Sequence, residues 1–309
     1  MPLWLSEEDV ATLVSPADAV PVIEDCFRRM AAGRVELMPR RRFEIDGGYF
    51  AVMAAADRGL GMAGLKSYTV VEGSLQFVVC LFELAAGSLV AMVAADRLGQ
   101  VRTGAASGVA AKHLARPGAS SLGLIGAGRQ AESQLAAIRA AVPSIERVVV
   151  SSRTRERAEA FAGQHGAEVA ESPGDAGGCD VVVTATTSKD PVLRGDWLGA
   201  GALVCAVGAN DPGARELDAE VITRATLVCC DSVEDARLES GDLIEPVAAG
   251  QLDWLEVQEL QAIVAGDLPG RQSDEDVVVF KSNGIAPWDV ALAADVVGRA
   301  RRRGVGVEL

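Results

Sequence analysis

The residues of this sequence best suited to chemistry are cations set in apolar runs, and a glycine-rich turn. Lys66 lies in Gly61-Met62-Ala63-Gly64-Leu65-Lys66-Ser67-Tyr68. A lysine there that faces solvent does nothing special, but a buried one is a good proton donor or carboxylate partner. Arg102 stands in Val101-Arg102-Thr103-Gly104-Ala105-Ala106-Ser107, which reads as the opening of a helix. A cation there opposes the helix dipole, so its placement points to a role beyond local stability. Arg40, Arg41 and Arg42 form a third basic site before a strand, and in isolation they read as solvated surface. Other catalytic equipment is sparse. The two histidines, His113 in an alanine-rich helix and His165 in a glycine-flanked loop, make poor bases. No H-x-x-x-H, C-x-x-C or carboxylate cluster supports a metal, and the serine-hydrolase elbow G-x-S-x-G is absent.

The glycine turn carries the strongest signal. Leu122 to Ile125 is an apolar run of strand length, broken at Gly126-Ala127-Gly128 and followed by Ala131, Leu135 and Ile138 at helical spacing. Strand, turn and helix together read G-x-G-x-x-A, a dinucleotide fingerprint. Gly126 permits the tight turn, Gly128 lets backbone approach a pyrophosphate, and Ala131 lets the helix sit close to the sheet. Arg129 and Gln130 open the helix whose N-terminus would hold the anion. The second strand ends in Ser151-Ser152-Arg153-Thr154, with no carboxylate for a ribose 2′-hydroxyl. Ser152, Arg153 and Thr154 therefore favour NADP(H), with NAD(H) possible; the plainer reading is that Arg153 begins a solvated helix. Thr184, Thr186 and Val207, at C-terminal strand edges, are expected to wall the nicotinamide, and Thr103 is placed with the cofactor residues.

These residues need a frame. Ser15-Pro16 caps a helix running to about Ala32. From Arg40 to Val93 short strands alternate with glycine punctuation, which suggests a largely antiparallel sheet. A helix is expected over Thr103–Ala115, broken by Arg116-Pro117-Gly118. Beyond it strand and helix alternate, implying a parallel sheet covered on both faces, before a final helix from Pro287 to Arg302. The expected fold is α/β: a Rossmann-type doubly wound parallel sheet domain (117–285) inserted into an α+β substrate and dimerisation domain (1–116 plus 286–309).

Composition narrows the partners. A formal net charge of −14 argues against nucleic acid or an anionic membrane surface. No stretch is long enough for a membrane span, and the first ten residues lack the apolar core of a signal peptide. Six cysteines without C-x-x-C pairing, mostly in apolar runs, read as reduced thiols of a cytoplasmic protein.

The ordered set of motifs resembles the ornithine cyclodeaminase/mu-crystallin family. The matching pieces are Pro39-Arg40-Arg41, Gly64-Leu65-Lys66, Arg102-Thr103-Gly104-Ala105-Ala106-Ser107 and Ile125-Gly126-Ala127-Gly128-Arg129-Gln130-Ala131. Val207-Gly208-Ala209-Asn210, Arg215-Glu216-Leu217-Asp218 and Phe280-Lys281-Ser282-Asn283-Gly284, continuing to Asp289, complete it. The resemblance implies a homodimer built through the first domain, and a substrate carboxylate surrounded by Arg41, Lys66 and Arg102, with Lys66 also in proton transfer. It implies hydride exchange between nicotinamide and the carbon alpha to a carboxylate of a small amino, imino or oxo acid. Where cyclodeaminases carry an acid/base aspartate this chain has Asn210, which takes no proton, with Asp211 beside it as the substitute. A second cyclodeaminase carboxylate is matched loosely by Ala51.

The expected activity is NAD(P)H-dependent reduction of the C=N of an alpha-imino acid, or oxidation of the matching amino acid. The alternatives are an ornithine cyclodeaminase that recycles bound NAD, a linear amino-acid dehydrogenase, and a non-catalytic NADPH-binding crystallin-like protein. Loops such as Val70–Gly73 would set the size of the substrate pocket.

Overall fold

A computed structural model describes residues 1–72 and 74–309 of the chain. The elements begin with β1 (Leu3–Leu5), α1 (Glu7–Leu13), α2 (Pro16–Ala31), β2 (Val35–Ile45), β3 (Gly48–Asp57), β4 (Met62–Val71), β5 (Ser74–Glu83), β6 (Leu89–Ala94) and α3 (Asp96–Leu114). They continue with β7 (Ser121–Ile125), α4 (Arg129–Ala141), β8 (Arg147–Ser151), α5 (Arg155–His165), β9 (Glu168–Val169), α6 (Pro173–Gly177), β10 (Val181–Thr184) and β11 (Leu203–Ala206). Then come α7 (Ala219–Arg224), β12 (Leu227–Cys230), α8 (Val233–Glu239), α9 (Gly241–Ala248), β13 (Gln258–Glu259), α10 (Leu260–Ala265), β14 (Val278–Lys281), α11 (Ala286–Arg303) and β15 (Val307–Glu308).

The chain divides into two compact units, Met1–Arg102 with Ile285–Leu309, and Thr103–Gly284. The first boundary thus falls inside α3 rather than at 116/117. Its small residues explain why: a Cβ on Gly104 would lie 2.3 Å from Ser133 Oγ, so from there on the helix is built into the second unit. The helix also starts at Asp96, ahead of the expected Thr103, because the Glu7 carboxylate accepts the N–H groups of Asp96 and Arg97 at 2.8 Å each. That cap comes from a distant part of the chain. Arg102 is consequently inside the helix and not at its opening.

In the first unit the described residues form a seven-stranded sheet, ordered β15-β1-β6-β5-β4-β3-β2 and antiparallel except where β1 runs with β6. Helices α2 and α11 cover one face, joined by an edge-to-face contact of Phe27 with Trp288, centroids 5.4 Å apart. Strong caps set α2: Ser15 accepts from the Asp18 N–H, the Asp18 carboxylate returns the bond, and Pro16 supplies the first turn. The second unit holds an eight-stranded parallel sheet, ordered β13-β12-β14-β11-β10-β7-β8-β9. Its strands read as continuous apolar runs because both faces are buried, as in Val181–Thr184 and Leu203–Ala206. The order reverses between β7 and β10, the crevice where such sheets bind nucleotides.

Candidate active site and dinucleotide cradle

Antiparallel register places Lys66 in the middle of the first sheet, opposite Met53 on β3 and Val79 on β5. Its side chain is on the face covered by α11, and only 4% of the residue is exposed. The ammonium lies 5.2 Å from the Phe77 ring centroid and 5.9 Å from that of Tyr68. Asp289, in the first turn of α11, meets it with Oδ1 at 3.3 Å and Oδ2 at 3.5 Å. Arg102 Nε donates to the same Oδ1 at 3.2 Å, and its guanidinium lies over the Trp288 ring, 5.7 Å from the centroid. Burial drives the Lys66 ammonium down to about 8; Asp289 pulls it back, while Arg102 and Arg40 push it further down. Such a lysine both carries and releases a proton near neutral pH.

Of the arginine triplet, Arg40 rather than Arg41 lies buried on the side of this cluster. Pro39 has no N–H for the ladder, and the β2–β3 register slips between Met38 and Arg41. One extra residue in the bulge reverses the alternation of faces. Arg40 is therefore buried, its Nη2 3.8 Å from Met53 Sδ, next to the strand position that pairs with Lys66. Arg41 is exposed on the other side of the sheet, and the triplet lies within a strand instead of before one. Ala51 is fully buried on the inner face, with no carboxylate to offer. Gly73, in the loop expected to shape the substrate pocket, lies outside the described residues.

In the second unit a cavity of about 500 Å³ opens at the end of β7. Gly126, Ala127, Gly128, Ser152, Arg153, Thr154 and Thr186 line it, together with Arg157 and Trp197. Gly126 has φ +116°, and a Cβ there would lie 2.4 Å from the Ala185 carbonyl oxygen, so only glycine fits. Gly128 differs: its backbone is extended and a Cβ would meet nothing within 4 Å. The room beside Gly128 is where a pyrophosphate fits against the start of α4, so these residues suit a dinucleotide. Arg129 and Gln130 open α4 but do not line this cavity, and neither do buried Thr103 and Thr184 or half-buried Val207.

A buried network ties the ends of β10 and β11 together. Glu216, wholly buried, accepts from Thr184 Oγ1 at 2.8 Å and from Thr186 N, Thr186 Oγ1 and Gly208 N at 2.7 Å each. Its main-chain N–H donates to Asp242, whose other oxygen pairs with Lys281 Nζ at 2.9 Å. Lys281 also donates to the Ala209 carbonyl at 2.5 Å. Burial raises the Glu216 carboxyl, against the pull of Lys281. The network anchors the loop bearing Asn210 and Asp211. Asp211 is exposed, and its carboxylate closes its own turn by accepting the Gly213 N–H at 2.8 Å. Where β14 ends, Asp231 accepts from Asn283 N, Gly284 N and Ser282 Oγ at 2.7–3.2 Å.

Arg40, Asp289, Glu216 and Lys281 were not assigned to the site from sequence. Each had a signal: a proline within a strand, and charged residues inside the matched motifs. His165 ends α5 and stacks near Phe161 instead of lying in a loop. All six cysteines are free thiols. Among the described residues there is no metal-binding cluster and no helix long and apolar enough to cross a membrane.

Comparison with known proteins follows the same lines. The model of the ornithine cyclodeaminase/mu-crystallin family matches residues 2–304. The chain is 33% identical over 318 residues to alanine dehydrogenase of Archaeoglobus fulgidus, covering 99% of this chain and 98% of that one. It is 36% identical over 270 residues to Delta(1)-pyrroline-2-carboxylate reductase of Bacillus cereus, 82% of each chain. Among solved structures, Delta(1)-pyrroline-2-carboxylate reductase of Thermococcus litoralis, in complex with NADH and L-proline, superposes with a TM-score of 0.94 at 30% identity, covering 99% of this chain and 100% of that one.

Proposed function

The chain belongs to the ornithine cyclodeaminase/mu-crystallin family, and on that premise we propose that it is an NAD(P)H-dependent oxidoreductase of small alpha-imino acids. The observation that carries this reading is the buried cluster of Lys66, Asp289, Arg102 and Arg40 in a chain that also has a dinucleotide cradle. Bound nicotinamide supplies the hydride. Arg40 and Arg102 hold the substrate carboxylate and so orient the alpha carbon. Lys66 donates a proton to the nitrogen in reduction and takes it back in oxidation. In this proposal Asp289 keeps Lys66 charged near neutral pH and aims its ammonium. Gly126, Ala127 and Gly128 cradle the pyrophosphate, and Thr186, in the wall of the same cavity, is the strand-end residue left to face the cofactor.

NADP(H) is the preferred cofactor, because among the described residues no carboxylate lines the cavity and Arg153 does. The functional form is a homodimer. Its contact is the outer face of the first sheet, where Met38, Phe43 and Ile45 are exposed beside a shallow apolar hollow of about 440 Å³ that includes Ala54, Ala56, Leu65 and Phe82. Free thiols suit a cytoplasmic home.

The test is NADPH oxidation followed by absorbance, with pyrroline-2-carboxylate, piperideine-2-carboxylate, and pyruvate with ammonia or methylamine, NADH run in parallel. Turnover of a cyclic imine supports the reductase reading. Turnover only of pyruvate with an amine moves the enzyme to the amino-acid dehydrogenases. Silence on the whole panel, with proline and ammonia formed from ornithine, overturns it in favour of a cyclodeaminase.

A further inference from the structure

Three arginines alternate along the end of β8 and the first turn of α5: Arg153, Arg155 and Arg157. Arg155 is neutralised by Glu159 one turn on, Nε to Oε1 at 2.9 Å. Arg153 and Arg157 have no carboxylate partner among the described residues, yet both line the cavity that begins at the glycine turn. Helical side chains lean toward the N-terminus, which carries Arg157 back over Thr154 and the strand end. Two unpaired guanidinium groups at a helix N-terminus oppose its dipole and repel each other. The one acid in that turn, Glu156, does not line the cavity, and neither does any other carboxylate among the described residues. The arrangement favours a compact dianion between the two guanidinium groups.

We propose that Arg157 is a second ligand, paired with Arg153, for the 2′-phosphate of NADP(H). The inference rests on the NADP(H) reading above and deepens it, since it assigns selectivity to a residue outside the strand-end segment. Arg153 and Arg157 approach the phosphate from the strand end and the helix, while the Ser152 and Thr154 hydroxyls supply neutral hydrogen bonds. The apolar wall of Pro173, Pro191, Val192 and Trp197 leaves the remainder of the cavity for the uncharged adenine.

The experiment is calorimetric titration of the full-length protein with 2′,5′-ADP and with 5′-AMP, on wild type, Arg157→Gln, Arg157→Glu and Arg153→Gln. Wild type is expected to bind 2′,5′-ADP at least tenfold tighter than 5′-AMP. Arg157→Gln is expected to weaken 2′,5′-ADP about tenfold and Arg157→Glu further, with 5′-AMP unchanged in both. A wild type that prefers 2′,5′-ADP while both Arg157 variants bind it equally well overturns the Arg157 assignment alone and leaves the role to Arg153. A wild type that binds the two nucleotides equally overturns the NADP(H) reading and the assignment with it. Because Arg157 is exposed and unpaired, unchanged thermal unfolding of its variants separates a lost ligand from a lost fold.

Discussion

Lys66 has a proton affinity set by opposing neighbours, and that makes its role measurable. Lys66→Met should lower turnover by about a hundred- to ten-thousandfold while NADPH affinity, measured by cofactor fluorescence, stays within twofold. A fully active variant would remove the proposed proton donor. Reduction needs the charged ammonium, so its rate should fall as pH rises through about 8; oxidation needs the neutral amine and should rise over the same range. Asp289 is the group holding that value up, so Asp289→Asn should move both limbs to lower pH. The arginines give a second contrast. Arg40→Gln should raise KM for the imino acid by about ten- to hundredfold, the worth of a charge-assisted hydrogen bond of about 1.5–3 kcal/mol, and Arg41→Gln should leave it unchanged. Equal effects at both positions would sink the assignment of Arg40. The triplet shows why burial within a strand is hard to read from sequence. Side-chain alternation assumes an unbroken ladder, and the bulge at Pro39 reverses it without changing residue type.

At the level of elements, the glycine turn was legible because all its causes are local. An apolar strand, a φ of +116° and a helix start occupy a dozen consecutive residues. The two glycines should nevertheless respond differently to substitution. Gly126→Ala forces a side chain into the left-handed region and against the Ala185 carbonyl, which should cost about 1–3 kcal/mol or more in thermal unfolding. Gly128→Ala should unfold like wild type but bind NADPH more weakly, since its methyl group would occupy ligand space. A loss of stability at Gly128 with intact cofactor binding would contradict the cradle. The parallel strands were legible for a similar reason, as doubly buried runs need no partner to be recognised. The α3 cap supplied by Glu7 and the pairing of Lys66 with Asp289, 223 residues apart in sequence, are tertiary facts that no local window contains. Glu216 was present in a matched motif, but its role depends on four donors delivered by two other strand ends.

For the whole molecule, the net charge of −14 repels anionic ligands, so the proposed binding of a carboxylate and a phosphate has to rest on local charge, at Arg40, Arg102, Arg153 and Arg157. The proposed dimer is a property of the same scale. Phe43→Glu on the outer sheet face should convert a dimer into a monomer in sedimentation velocity; a wild type that already sediments as a monomer would dismiss that surface. The order in which the chain is made matters too. The sheet carrying Lys66 is complete early except for its cover, α11, and its edge strand β15, which pairs with β1. Residues 103–284 are synthesised in between, so the second unit is finished before the first. At roughly 5–20 residues per second, the apolar face waits on the order of 10–40 s for its lid. On the ribosome, therefore, the nascent chain can acquire its nucleotide cradle before it owns Asp289. Stop codons or pauses upstream of α11 leave a species with an uncovered sheet, for chaperones to hold or proteases to remove.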